Sequence, residues 1–305
     1  MKTNPKKERK IPMTNRIDFA VVFSVDRANP NGDPIDGNRP RQLSDGRGEV
    51  TDVCLKRKIR NRLEELGETI LIKSADKCTK HWPDPTDASK MIPEPSTVAD
   101  RYQYSVNNGK ALKGLTEEDI EKGLKAFIDV RLFGQVYAFV DKSNGEHTRG
   151  AVSITSAISA CPIEINETQI TKSISNTEKD KKGSDTMGMK YNVPFGVYQF
   201  FGSVSGRIAE ENFVTQADLD LLKKALCTLF QNDASTARPY GSMNIERVVW
   251  YEHDSVDGQV RPDEVKAALN VKPKDGVDNP TCLNDYVFVI RELPGLKIEV
   301  IDKPW

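Results

Sequence analysis

The chain has 305 residues, with 44 Lys and Arg against 45 Asp and Glu and a formal charge of −1. Hydrophobic residues make up 37% and charged residues 29%, a soluble balance with enough apolar material for one elaborate domain or two. No apolar run approaches the ~20 residues of a membrane helix, the longest being Phe19–Phe23, so a helical membrane protein is excluded. The basic start MKTNPKKERK is followed by Ile11-Pro12-Met13 where an export signal would need its apolar stretch. Cys54, Cys78, Cys161, Cys227 and Cys282 are scattered and odd in number, and read as reduced, mostly core thiols of a cytoplasmic protein. Residues 1–66 carry a net +5 and residues 67–305 a net −6. That polarity suits local binding of a polyanion or head-to-tail docking of copies.

Ile17–Val25 is β-branched and aromatic-rich, and predicts a central strand. Asn29–Gly48 follows as a long loop rich in Gly, Pro, Asn and Asp, a length that inside compact domains usually carries function. Thr51–Leu66 predicts a helix with Thr51 as N-cap and Gly67 just beyond its end. Its apolar stripe is Leu55, Ile59, Leu63 and Leu66. Residues 71–128 read as an irregular insertion with a short helix around Thr116–Phe127, and Val130–Ile158 as strands. Ile163–Lys190 looks like a long exposed hairpin or arm, and Val193–Val204 is a strand interrupted by Gly196 and Gly202. Thr215–Gln231 predicts a second helix, capped by Thr215 with Asp218 and buried along Leu219, Leu222, Leu226, Leu229 and Phe230. Ile245–Tyr251 and Tyr286–Arg291 are further strands. The main order β-α-β-β-α-β is that of ferredoxin-like and RNA-recognition folds, an α+β class.

Three constellations point to chemistry. The first helix carries Lys56, Arg57, Lys58, Arg60 and Arg62. Because only part of its surface is apolar, most of these cations are expected to face outward, where a phosphate backbone would relieve their repulsion. Arg39, Arg41 and Arg47 in the preceding loop add guanidinium groups suited to phosphates. Within that loop Asn29-Pro-Asn-Gly-Asp33 can take positive φ and expose consecutive N–H groups as an anion nest around Asn31. In the arm, Lys179, Lys181, Lys182 and Lys190 supply charge while Met187 and Met189 could wedge against bases. Catalytic patterns are thin. His81, His147 and His253 lie far apart, Cys78-x-x-His81 lacks a partner pair, and no phosphate-loop, dinucleotide or serine-elbow motif is present. Asp33, Asp36 and Asp45 could bind a metal, but no assembled cluster accompanies them. No cofactor or metal is expected.

NPNGDPIDGNRPR, TDVCLKRKIRNRL, DVRLFG, RGAVS and MGMKYNVPFGVY, in this order and spacing, resemble the backbone subunit of type I-C CRISPR Cascade complexes, from about Asn15 to about Trp250. The resemblance implies a hand-shaped protein with an RNA-recognition-like palm (residues 13–70, 129–165 and 193–305). It further implies a fingers insertion (71–128) and a thumb β-hairpin (166–192), behind a flexible basic extension (1–12) with Met13 as an alternative start. In that family several copies polymerise head to tail along the CRISPR RNA, hold its backbone, and present its bases to target DNA alongside other Cascade subunits. The carried-over RNA-binding candidates are Asn31, Arg39, Arg41, Lys56, Arg57, Arg60, Arg131, Arg149, Met187, Met189 and Lys190. The alternative implied by related type III subunits is a metal-dependent endoribonuclease using a loop aspartate, at Asp33 or Asp36 here. A third possibility is an oligomeric structural protein without RNA.

Overall fold

The computed structural model describes residues 15–85, 87, 89–141, 145–171 and 187–304, with the side chain of Met187 left out. Ile17–Ala28 (β1) is buried without alternation over its first nine residues, so both of its faces meet apolar layers. After it, Gly32–Asp33 (β2) and Arg39–Pro40 (β3) pair as a small hairpin, and Arg47–Val50 (β4) leads into Asp52–Glu65 (α1). Thr51 caps α1 as predicted, accepting from Cys54 N. At the other end Gly67 has φ +105° and donates to Glu64 O while Glu68 donates to Leu63 O, the paired bonds of a glycine-terminated helix.

The insertion is more regular than its composition suggests. His81–Pro83 (β5) pairs with Met91–Pro93 (β6), and Val98–Asn107 (α2) and Glu117–Ala126 (α3) build a satellite core around Leu71, Tyr102, Leu124, Phe127 and Tyr137. Arg101 is fully buried there, donating to the carbonyls of Leu71, Lys73 and Pro95 at 2.8–2.9 Å. Ile128–Phe133 (α4) is helical, so the expectation of strands from Val130 onward is corrected for its first residues. The fully buried Asp129 accounts for this. Its carboxylate accepts from Leu71 N, Ile72 N and Arg60 Nε at 2.8–3.0 Å, pinning the segment as one helical turn.

Gly134–Val136 (β7) pairs with His147–Arg149 (β8), and Val152–Ile154 (β9), Ala157–Pro162 (β10) and Asn166–Thr171 (β11) precede the long strand Met187–Val204 (β12). Gly206–Glu211 (α5), Gln216–Cys227 (α6), Met243–Glu252 (β13), Pro262–Ala268 (α7), Leu269–Pro273 (β14), Tyr286–Ile290 (β15) and Lys297–Asp302 (β16) complete the chain. The main sheet is antiparallel in the order β16-β13-β1-β12-β10-β4, with β9 and β11 also on β12. On one face Phe19, Val21 and Phe23 pack on Leu55, Ile59 and Leu63 of α1 and Leu219, Leu222 and Leu226 of α6. On the other, Ala20 and Val22 pack on Val265, Leu269, Val271 and Tyr286 of the α7–β15 segment, which the sequence reading left mostly unassigned. Among the described residues no helix is long and apolar enough to cross a membrane.

Two expectations change. Gly196 and Gly202 do not interrupt β12, which pairs with β1 from Val193 to Val204. Gly202 faces the Phe19 ring so closely that an added Cβ would sit 2.1 Å from it, and Phe19 in turn stacks on Trp250 with centroids 5.6 Å apart. The cysteines are all free, but none lies in the deep core: four are half-buried and Cys282 is exposed. Burial pushes the Cys227 thiol up to about 11.

Gly202→Ala is therefore expected to lower unfolding free energy by about 1–3 kcal/mol through overpacking against Phe19, read by urea denaturation; wild-type stability would contradict the packing. A short iodoacetamide pulse at pH 8 is expected to label Cys282 and spare Cys227, whose thiolate is scarce at that pH. Peptide mass spectrometry reads the order, and faster labelling of Cys227 would refute it.

Candidate nucleic-acid interface

Four segments meet at one end of the sheet because β1 ends there. The 29–48 loop leaves β1 at Ala28, and β12 enters at Val193 opposite it, so its preceding residues project past the sheet and pair with β11 as an arm. β13 begins opposite Val25, which brings the 231–242 segment alongside, with Asp26 N donating to Ser242 O and Asn29 N to Ala237 O, both at 2.8 Å. Asn31 ties in the start of α1: its Oδ1 accepts from Thr51 N and Thr51 Oγ1 at 3.0 Å, while its carbonyl accepts from Arg41 N.

The loop differs from the expected nest. Positive φ falls at Gly37 (+54°) and Asn38 (+64°), not within Asn29–Asp33, and forms the turn of the β2–β3 hairpin. Gly32 is needed because a Cβ there would strike Asn38 Oδ1 at 2.1 Å. Asp33 is engaged on both oxygens, by Arg41 at 3.2 Å and Ile35 N at 3.1 Å. Among the described residues no three His, Cys, Asp or Glu side chains converge on one point.

Arg39 links the loop to the arm. Its guanidinium pairs with Glu167 of β11 and lies 4.7 Å over the ring of Tyr191 on β12, two residues that face each other in the arm register. Gln169 and Met189 continue that face, and Met189 is 48% exposed. Lys190 points to the opposite face with Thr168 as its register partner. Met187 pairs with Thr171 in register, and the expectation for its side chain, like those for Lys179, Lys181, Lys182 and residues 1–12, lies outside the described residues. Large apolar side chains stand in solvent at this end, Ile35 and Tyr240 at 97% and Val53 at the start of α1.

The expectation that most cations of α1 face outward is corrected. Lys58 is buried against Asp233, and burial lowers its pKa although the carboxylate opposes that shift. Arg62 reaches Glu65, Thr228 and Gln231, and Arg60 is committed to Asp129 at 3.0 Å with its guanidinium 5.0 Å over Phe133. Arg57 bonds Asn61 and Ser74, and Lys56 pairs with Asp52 one turn back at 3.0 Å, half-exposed. Periodicity identified the stripe that meets the sheet, but not the neighbours from α4 and α6 that flank it.

Arg131 and Arg149 form a second group. Asn212 Nδ2 donates to the carbonyls of both, at 3.0 and 2.7 Å, but their side chains part. Arg131 makes a two-pronged bond to Asp218, which also caps α6, and donates to Leu124 O. Arg149 is exposed, with no ion pair among the described residues. Sequence reasoning missed Glu167 and Tyr191, the seat of Arg39. The aromatic following Lys190 was the available signal.

Residues 15–291 match the family of CRISPR-associated protein Cas7. The CRISPR-associated protein Cas7 of Haloferax volcanii is 30% identical over 241 residues, covering 73% of this chain and 66% of that protein, just under two thirds of its length. Among solved structures, a chain of a CRISPR RNA-guided surveillance complex in a pre-nicking state gives a TM-score of 0.52 at 16% identity, covering 88% of this chain and 84% of that one. Another surveillance-complex chain gives 0.48 at 15% identity, covering 86% and 77%. At these identities the first likeness is one of fold.

Arg60→Ala is expected to cost on the order of 3 kcal/mol, because it strands the buried Asp129 carboxylate, whereas Arg149→Ala leaves stability unchanged. Urea denaturation of both variants reads this; an Arg60→Ala protein as stable as wild type would release Arg60 from its structural assignment.

Proposed function

The chain belongs to the Cas7 family of CRISPR-associated proteins, and from that premise we propose that it is a guide-RNA-binding backbone subunit of a CRISPR surveillance complex. The type I-C assignment rests on the motif resemblance. In this reading the β1-centred sheet with α1 and α6 (residues 13–70, 129–165 and 193–305) is an RNA-recognition-like palm, residues 71–128 are the fingers, and 166–192 the thumb. The activity is binding without a covalent step, in the cytoplasm, with other Cascade subunits and target DNA as partners of the assembled complex.

One observation carries the proposal: both faces of the central strand β1 are covered by apolar layers, while the glycine-rich loop, the start of α1 and the arm root converge at one end. A chain that must accept any guide is best held by its phosphates, leaving base edges free for Watson–Crick readout. Lys190, whose side chain has no ion pair among the described residues, and the half-exposed Lys56 and Arg41 supply neutralising charge at this end, and the unpaired Arg149 adds a cation towards the opposite end of β1. Met187 and Met189 are the apolar wedges against bases. The +5 front and −6 remainder favour a heterologous contact between neighbouring copies, which grows a filament rather than closing a dimer. Repeated along that filament, a few phosphate contacts per copy give high total affinity.

Titrating the protein with its cognate transcript across salt concentrations tests this. Arg149→Ala with Lys190→Ala is expected to make the slope of log K against log salt shallower by about 1.4, from ~0.7 per single-strand contact. An unchanged slope removes these two side chains from the phosphate set, and no binding by the parent protein at low salt sinks the proposal.

A further inference from the structure

The ion pairs of this protein fall into two kinds. Those of Lys58, Arg60 and Arg131 are closed, with no side chain in them more than 17% exposed. Those of Arg39, Arg41 and Lys56, at the end of the sheet where loop, helix and arm meet, are 28–42% exposed on both partners, so an anion from solution can reach them. Arg41 pairs with Asp33 inside its own loop, and Lys56 with Asp52 one turn back on α1. The pair between Arg39 and Glu167 differs from these two: it joins the loop hairpin to the arm, across 128 residues of sequence.

Arg39 is placed by its backbone, pairing in register with Asp33 and donating from N to Asp36 O at 2.9 Å. The Tyr191 ring, 4.7 Å from the guanidinium carbon, then sets where the cation sits, and its N–H groups are left for an oxyanion. Glu167, the register partner of Tyr191, fills that role through Nη2 of Arg39. A phosphodiester carries the same single charge and the same two terminal oxygens as a carboxylate, and it binds a guanidinium through the same N–H···O bonds. An exposed ion pair holds weakly, so its carboxylate is exchangeable.

We infer that the seat formed by Arg39 and Tyr191 is a phosphodiester subsite in which Glu167 stands in for the phosphate until RNA displaces it. The inference rests on the RNA-binding reading above and deepens it with a regulatory contact. A bound guide takes over Arg39 and releases β11 from the loop hairpin, whereas a stray single anion must compete with a carboxylate tethered beside the cation.

The test measures binding of a fluorescein-labelled single-stranded RNA by anisotropy, with Glu167→Gln, Arg39→Ala and the double variant in the full chain. Glu164→Gln, the same charge change at an exposed residue three positions earlier, is the control. Glu167→Gln is expected to bind RNA roughly two- to five-fold tighter than the parent, the range an exposed ion pair allows, and Glu164→Gln to gain less. In the Arg39→Ala background the Glu167→Gln change is expected to add nothing beyond the control. Equal gains from Glu164→Gln and Glu167→Gln, or a gain that persists without Arg39, overturn the inference by reducing it to net charge. Weaker binding in Glu167→Gln also overturns it, making Glu167 a brace for Arg39 and not its competitor. A parent chain with no affinity for RNA at low salt is the separate outcome that sinks the underlying reading, and the subsite with it.

Discussion

Burial of β1 on both faces is the constraint from which the rest of the molecule follows. With α1 and α6 on one side and the α7–β15 segment on the other, the first nine residues of β1 have no open face to offer a ligand. Chemistry is displaced to the end where β1 stops, and antiparallel pairing delivers β12 and β13 to that same end. The arm is β12 continuing past its partner. Its position is a consequence of register, since a strand of 18 residues pairing with one of 12 must overhang.

Electrostatics is settled by who sits nearby. A helix carrying five cations in seven positions looks like a polyanion-binding face, yet the fold assigns three of them to internal partners. The buried Asp129 and half-buried Asp233 each need a countercharge, and α1 is the element within reach. The cations left at the surface are fewer and more dispersed, drawn from α1, the loop, the arm and β8.

Arg39 illustrates how a residue can be both a recognition candidate and a fastener. Stacked on Tyr191 and paired with Glu167, it fixes the loop hairpin against the arm root, so the two cannot reorient independently without losing that contact. The insertion has the opposite character: it has its own small core and meets α1 through Asp129, which holds Arg60, and through the Arg57–Ser74 and Glu64–Lys73 contacts.

Local signals sufficed for what depends on neighbours in sequence. The caps Thr51 and Thr215, the stop at Gly67, the stripes of α1 and α6, and the central strands β1, β12 and β13 were legible, because they arise from side-chain periodicity and turn chemistry within a few residues, whereas β4 and the edge strand β16 were not. The motif resemblance added the family. Only the tertiary structure could decide that Gly202 exists to seat Phe19, that Val130 begins no strand because Asp129 gathers amides from the other side of the insertion, and that Arg60 faces a carboxylate rather than solvent. It alone placed Ala237 beside Asn29 and Ser242 beside Asp26, across more than 200 residues of sequence. Contacts of that separation leave no periodic trace in the chain, since each partner is ordinary in its own local context and acquires meaning only when the sheet register brings the two together.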